Sequence, residues 1–199
     1  MRIGVLALQG DFIEHEHMLA RLGIEAVEVR LPRELEGLDG LIMPGGESTT
    51  FGKLAVRFGL VEPLRAFAQS GRPVWGTCAG LIFLAKDVGR DQVTLGLMDV
   101  RVKRNAFGRQ IDSFICDLQI VGLEDKPFPG VFIRAPIIES VGERVHTLCR
   151  LEDGTIVAAR QDNLLATAFH PELTDDLRMH ALFAQVCERS SPGRVAYET

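Results

Sequence analysis

A chain of 199 residues, 46% of them apolar, with a net charge of −5 holds enough apolar material for one sizeable core and is not a disordered protein. It lacks the basic balance of a general nucleic-acid binder. No apolar run is long enough to span a bilayer and residues 1–8 read as a buried strand and not as a targeting segment, so a soluble, cytoplasmic protein with no nucleic-acid or membrane partner is expected.

Residues 2–8 form a continuous apolar run, the pattern of a strand buried on both faces, and Gln9-Gly10-Asp11 breaks it. Helical spacing follows over 13–22, with Gly23 placed as a cap. Residues 24–29 and 38–43 read as a second and third strand, the latter ending at Pro44-Gly45-Gly46. Helices are expected over 49–58 and 61–68. Gly71-Arg72-Pro73 resets the chain, 74–76 makes a short strand, and 81–86 begins another helix. This alternation predicts an α/β fold with a mostly parallel central sheet flanked by helices. The second half changes character, with strands expected at 113–121, 130–134, 145–151, 155–161 and 164–169. Turns at Glu152-Asp153-Gly154 and Gln161-Asp162-Asn163 suggest antiparallel hairpins. A last helix is expected from 175 to about 188. One domain over 1–188 is therefore expected, followed by a loose tail over 189–199.

Four cysteines stand at 78, 116, 149 and 187, without a CxxC pair. Their spacing fits reduced cytosolic thiols better than a metal cage or a disulfide framework. Cys78 has a special setting in Val74-Trp75-Gly76-Thr77-Cys78-Ala79-Gly80-Leu81. A strand ends, the cysteine follows, a helix begins, and glycines flank it two residues away on each side. This is the cysteine form of the strand–turn–helix nucleophile elbow. It projects the thiol at the carboxyl end of the sheet, favours thiolate through the helix N-terminus, and offers the Ala79 amide as an oxyanion donor. Most free cysteines are simply buried; Cys116, Cys149 and Cys187 lack such a setting and are assigned to packing.

Phe169-His170-Pro171-Glu172 follows a predicted strand. If the chain stays extended past the proline, His170 and Glu172 project to the same side, and the carboxylate can orient an imidazole that serves the thiol as base. In Glu14-His15-Glu16-His17 the two histidines are two apart on a helix and would not chelate together; a surface or partner-facing role is expected. His146 and His180 show no supporting pattern. Met43-Pro44-Gly45-Gly46-Glu47-Ser48-Thr49-Thr50 also links strand to helix. The glycines let backbone amides approach a ligand, which makes Gly46 a second candidate oxyanion donor. A plain turn capped by Ser48 or Thr49 is the simpler reading.

Pro44-Gly45-Gly46, Gly76-Thr77-Cys78-Ala79-Gly80 and His170-Pro171-Glu172 together resemble class I glutamine amidotransferases. Leu8-Gln9-Gly10, Pro44 through Thr50, Arg104-Asn105-Ala106-Phe107-Gly108-Arg109-Gln110, Phe132-Ile133-Arg134-Ala135-Pro136 and His170 through Thr174 narrow the resemblance to the glutaminase subunits of pyridoxal 5′-phosphate synthase, over nearly the whole chain. The resemblance implies Cys78 as nucleophile, His170 as base and Glu172 as its orienter. It places Gly46, Glu47, Ser48, Arg104, Ile133 and Arg134 at glutamine-binding positions, with Arg104 or Arg134 suited to the α-carboxylate. It implies hydrolysis of L-glutamine to glutamate and ammonia through a γ-glutamyl thioester, without metal or organic cofactor. The implied partner is a barrel-shaped synthase subunit, arranged as a double ring that the glutaminase subunits decorate. Docking on it completes the oxyanion hole, and residues 14–17 and the Gly45–Ser48 loop are expected near the contact. Rival readings are an ammonia donor for another synthase, a cysteine hydrolase of similar architecture, and a non-enzymatic partner protein.

Overall fold

The computed structural model describes residues 1–104, 113–123 and 125–190. The expected Asn105–Gln110 stretch and most of the expected tail lie outside these residues.

The N-terminal apolar run forms β1 (Arg2–Leu6), whose Ile3, Val5 and Leu6 are fully buried. Next come α1 (Phe12–Arg21), β2 (Glu25–Val29), a 3-10 turn at Pro32–Leu35, and β3 (Gly40–Met43). Then follow α2 (Ser48–Arg57), α3 (Val61–Gln69), β4 (Val74–Thr77) and α4 (Ala79–Leu84). Each of these strands and α-helices lies within a few residues of its expected place; the 3-10 turn was not anticipated. The second half holds β5 (Ala85–Asp87), β6 (Met98–Lys103), β7 (Ser113–Leu118), β8 (Phe128–Ile133) and β9 (Ile137–Val141). It closes with β10 (His146–Arg150), β11 (Ile156–Gln161), β12 (Leu164–Thr167), a 3-10 turn at Pro171–Leu173, and α5 (Arg178–Ser190). Strands β5, β6 and β9 were not anticipated, and the helix expected to continue to residue 86 stops at Leu84, where the chain extends to pair with β6.

Among the described residues, one sheet runs in the order β2-β1-β3-β4-β12-β11-β9-β6-β5, with β10 paired to the far side of β11. Strands β2, β1, β3, β4 and β12 are mutually parallel, and all but the edge strand β2 and the first residue of β1 are buried, as expected for a parallel sheet with crossover helices. The two predicted hairpins form: β10–β11 and β11–β12 are antiparallel, and Asp162 turns the second with φ +50°. β7 and β8 pair apart as an antiparallel ribbon, and Phe114 stacks on Phe132 across it at 4.6 Å.

Helices cover the sheet through apolar faces. α1 buries Met18 and Leu19, α2 buries Phe51 and Ala55, and α5 buries Met179, Phe183 and Cys187. Trp75, Phe51, Phe83 and Phe183 carry no exposed surface; burying a side chain of this class contributes about 1.5–3 kcal/mol. No helix among the described residues is long and apolar enough to cross a membrane.

Candidate active site

Because β1, β3, β4 and β12 are parallel neighbours, their carboxyl ends open along one edge, where α/β sheets collect ligands. Four turns meet there: Gln9–Asp11 after β1, Pro44–Glu47 after β3, Cys78 after β4, and His170–Glu172 beyond β12.

Cys78 has φ +46° and ψ −99°, a backbone shape that L-residues rarely adopt. Its amide donates to the Thr167 carbonyl at 2.8 Å, tying the turn to β12. The flanking glycines have a steric cause. A Cβ on Gly76 would lie 2.5 Å from the Gly80 carbonyl, and one on Gly80 would lie 2.0 Å from the Met43 carbonyl oxygen. Any side chain there would push the elbow off the sheet edge. The thiol is 6% exposed.

His170 and Glu172 are 4% and 5% exposed. They do converge, though not through continued extension: Pro171 opens a 3-10 turn over Pro171–Leu173. A proline preset near φ −65° is suited to that first helical position. The turn brings Glu172 Oε1 to 2.7 Å from His170 Nδ1. The His170 amide donates to the Val131 carbonyl at 2.8 Å, anchoring it to β8. Burial works against a charged ring, but hydrogen bonding from Asp11, Cys78 and Glu172 raises its pKa well above the usual value. Burial pushes the Glu172 carboxyl up, and the bond to His170 opposes it. The thiol, the imidazole and the carboxylate are therefore gathered in one buried cluster.

Gly45 sits against this cluster, and Gly46 packs on the Gln9 side chain. A Cβ on Gly45 would fall 2.4 Å from His170 Cε1, so only glycine lets the strand end approach the ring so closely. Glu47 caps α2, accepting from the Thr49 and Thr50 amides at 3.0 and 2.7 Å. Neither Ser48 nor Thr49 is the cap. Partial burial opposes ionisation of Glu47, but those hydrogen bonds hold its carboxyl down at about 2. Arg104 Nη2 lies 3.3 Å from Glu47 Oε1, and Arg104 Nη1 is 3.1 Å from Gln92 Oε1. Ser48 is buried, with a hydroxyl that finds no hydrogen-bond partner. Ile133 ends β8 exposed, and Arg134 follows it, also exposed, at φ +43°.

Four residues near the site were missed in the sequence. Asp11 Oδ2 stands 3.4 Å from His170 Nδ1. Gln92 holds Arg104, and Arg90 reaches the Thr49 hydroxyl at 2.8 Å. His15, expected at the surface, is fully buried, 3.4 Å from Glu172 Oε2; His17 alone of the pair is exposed. The helical period carried the signal, since His15 precedes the buried Met18 and Leu19 by three and four residues. His180 is also fully buried. Asp11, His170 and Glu172 are the one group among the described residues with donor atoms close enough to hold a cation, within 4.8 Å. The imidazole nitrogen in that group is already engaged with Glu172, so a metal would have to displace the hydrogen bond that orients the ring. Cys116, Cys149 and Cys187 are reduced thiols, and burial pushes all three up in pKa.

A profile of the SNO glutamine amidotransferase family matches residues 5–189. A pyridoxal 5′-phosphate synthase subunit PdxT from Herpetosiphon aurantiacus is 60% identical, the match covering 92% of this chain and 98% of that protein. One of the same name from Moorella thermoacetica is 58% identical over 94% of this chain and 99% of its own length. A crystal structure of a glutamine amidotransferase superposes with a TM-score of 0.89 at 51% identity, covering 94% of this chain and 98% of that one. A putative GMP synthase component from Thermoplasma acidophilum shares the fold, with a TM-score of 0.70 at 19% identity and coverage of 95% and 94%. Sequence and architecture thus agree along almost the whole length, and this chain belongs to the SNO glutamine amidotransferase family.

Proposed function

We propose that this chain is a glutaminase that hydrolyses L-glutamine to L-glutamate and ammonia, and that it hands the ammonia to the synthase subunit of a pyridoxal 5′-phosphate synthase in the cytoplasm. The observation that carries the reading is a cysteine held on a strained turn beside an imidazole that a carboxylate orients at 2.7 Å.

Cys78 is the nucleophile. Glu172 engages His170 Nδ1, which leaves Nε2 to take the thiol proton. The thiolate attacks the side-chain amide carbon of glutamine. Negative charge on the carbonyl oxygen is met by the Ala79 and Gly46 amides. The imidazolium gives its proton to departing ammonia, leaving a γ-glutamyl thioester, and water activated by His170 then releases glutamate. Gly46, Glu47, Ser48, Ile133, Arg104 and Arg134 form the glutamine-binding side. Arg104 receives the α-carboxylate once it lets go of Glu47, and a planar guanidinium suits that task.

Free ammonia protonates in water and is then no nucleophile, so a donor of this kind works best docked on its acceptor. The start of α1, where His17 is exposed, and the Gly45–Ser48 loop form the docking side. The synthase subunits make a double ring that carries the glutaminase subunits on its outside. The deciding experiment is ammonia release from glutamine with and without purified synthase subunit. Wild type is expected to gain activity on docking, and Cys78→Ala is expected to lose essentially all turnover at an unchanged melting temperature. Turnover retained by Cys78→Ala refutes the triad. A wild type that responds to a different ammonia-dependent synthase, and not to this one, refutes the partner.

A further inference from the structure

Behind the carboxylate lies a buried polar cluster that the reaction scheme does not use. His15 on α1 and His180 on α5 carry no exposed surface. His15 Nδ1 is 2.9 Å from His180 Nε2. His15 Nε2 is 3.2 Å from the Thr77 hydroxyl and 3.4 Å from Glu172 Oε2. Trp75 stands edge-on to both rings, at centroid distances of 5.7 and 5.0 Å. Three helix or turn elements and the strand residue preceding Cys78 therefore meet at one imidazole.

Counting protons assigns the tautomers. An ionised carboxylate only accepts. Glu172 Oε1 is taken by His170, and Oε2 is buried without a hydrogen-bond partner of its own, with His15 Nε2 facing it at 3.4 Å. A proton on His15 Nε2 points to the Thr77 oxygen at 3.2 Å and faces the otherwise unpartnered Glu172 Oε2 at 3.4 Å, which is the tautomer these contacts favour. His15 Nδ1 is then bare and accepts from His180 Nε2–H. That leaves His180 Nδ1 without a proton, and it is the ring nitrogen that has no partner in the buried interior. Burial lowers the pKa of both rings, with His180 and then His170 adding to the effect on His15, so each is neutral.

We propose that His15 is a positioning residue for glutamine hydrolysis: its Nε2–H faces Glu172 Oε2 and fixes the rotation of the carboxylate, so that Oε1 stays aimed at His170, while His180 sets the His15 tautomer from behind. The inference rests on the glutaminase reading and on Glu172 as orienter. It extends the support of the site from a triad to a line running Cys78, His170, Glu172, His15, His180. Misalignment at such a distance from the reacting carbon costs rate and spares substrate binding.

Two measurements test it. The first is nitrogen–proton NMR of the histidine rings in the full-length wild-type chain, which needs no activity. His15 is expected as the neutral Nε2–H form and His180 likewise; a charged His15, or one protonated on Nδ1 alone, overturns the proposal. The second compares His15→Leu with His15→Gln in the glutaminase assay with synthase subunit present. His15→Leu is expected to lower kcat by about 10- to 100-fold at nearly constant KM. His15→Gln carries an amide N–H close to the Nε2 position and is expected to recover most of the loss. A His15→Leu enzyme with wild-type kcat sinks the idea, as do equal losses in both variants with equal falls in melting temperature. Cys78→Ala run beside them separates the two readings, since turnover there would remove the glutaminase assignment and leave the tautomer result standing.

Discussion

The turn around Cys78 and the loop around Glu47 follow neighbouring strands, β4 and β3, yet they are held in different ways. At Cys78 the constraint is backbone against backbone. The residue is at φ +46°, its amide is bonded to Thr167, and glycines on both sides admit no extra atom. At Glu47 the constraint is side chain against side chain. An exposed carboxylate caps α2 and shares Arg104 with Gln92, over distances of 3.1 to 3.3 Å. The end proposed to react is fixed by steric necessity, which does not relax when a ligand arrives. The end proposed to recognise glutamine is made of polar groups that satisfy one another and can trade partners for a ligand's charges.

Substitutions sharpen this contrast. Among these the largest expected effect is at the carboxylate proposed to orient His170. Glu172→Gln keeps the shape but can present its amide N–H to His170 Nδ1, and kcat is expected to fall by about 10²- to 10⁴-fold in steady-state ammonia release. Gly80→Ala follows: with the Met43 carbonyl oxygen 2.0 Å from the new Cβ, a loss of about 1–3 kcal/mol is expected from overpacking alone, measured by denaturant unfolding, together with most of the activity. A stable, active Gly80→Ala protein would show that the elbow is not sterically fixed. Arg104→Ala is expected to raise KM by about 10-fold with kcat nearly constant, because a recognising group is removed and the reacting one is untouched. The smallest effect belongs to the Glu47 cap, where Glu47→Ala is expected to cost about 0.5–1 kcal/mol at neutral pH. The folded carboxyl is held at about 2 against an ordinary value of 4.5. Its stabilising effect is therefore complete above about pH 4.5 and is lost as pH falls toward 2; the wild-type and Glu47→Ala unfolding curves should approach each other over that window.

The parallel half was legible because strands buried on both faces are written as unbroken apolar runs, as at Ile3–Leu6 and Leu41–Met43. The elbow was legible because a glycine pair around a cysteine between strand and helix has few other uses. The missed strands have physical reasons. β5 is three residues long, and β9 carries the exposed pair Glu139 and Ser140 where its register against β6 shifts, which breaks the period-two pattern. β6 alternates buried Met98, Val100 and Val102 with exposed Asp99, Arg101 and Lys103, a period-two signal that its charged residues obscure. His15 was misplaced because flanking glutamates suggest a solvated face, whereas its helical neighbours Met18 and Leu19 point to the core. Asp11, Arg90 and Gln92 gave no local signal; their place in the site comes from tertiary approach alone.

Strand β12 reaches β4 only after the chain has run out to the far edge of the sheet and doubled back, so that Trp75 and Thr167, 92 positions apart, become bonded neighbours. A ribosome making this polypeptide therefore releases the cysteine turn long before it has made the segment that supplies the imidazole. Products that end before that segment hold the proposed nucleophile without the imidazole proposed to serve it. The pairing of the two depends on the last parallel strand taking its place beside β4.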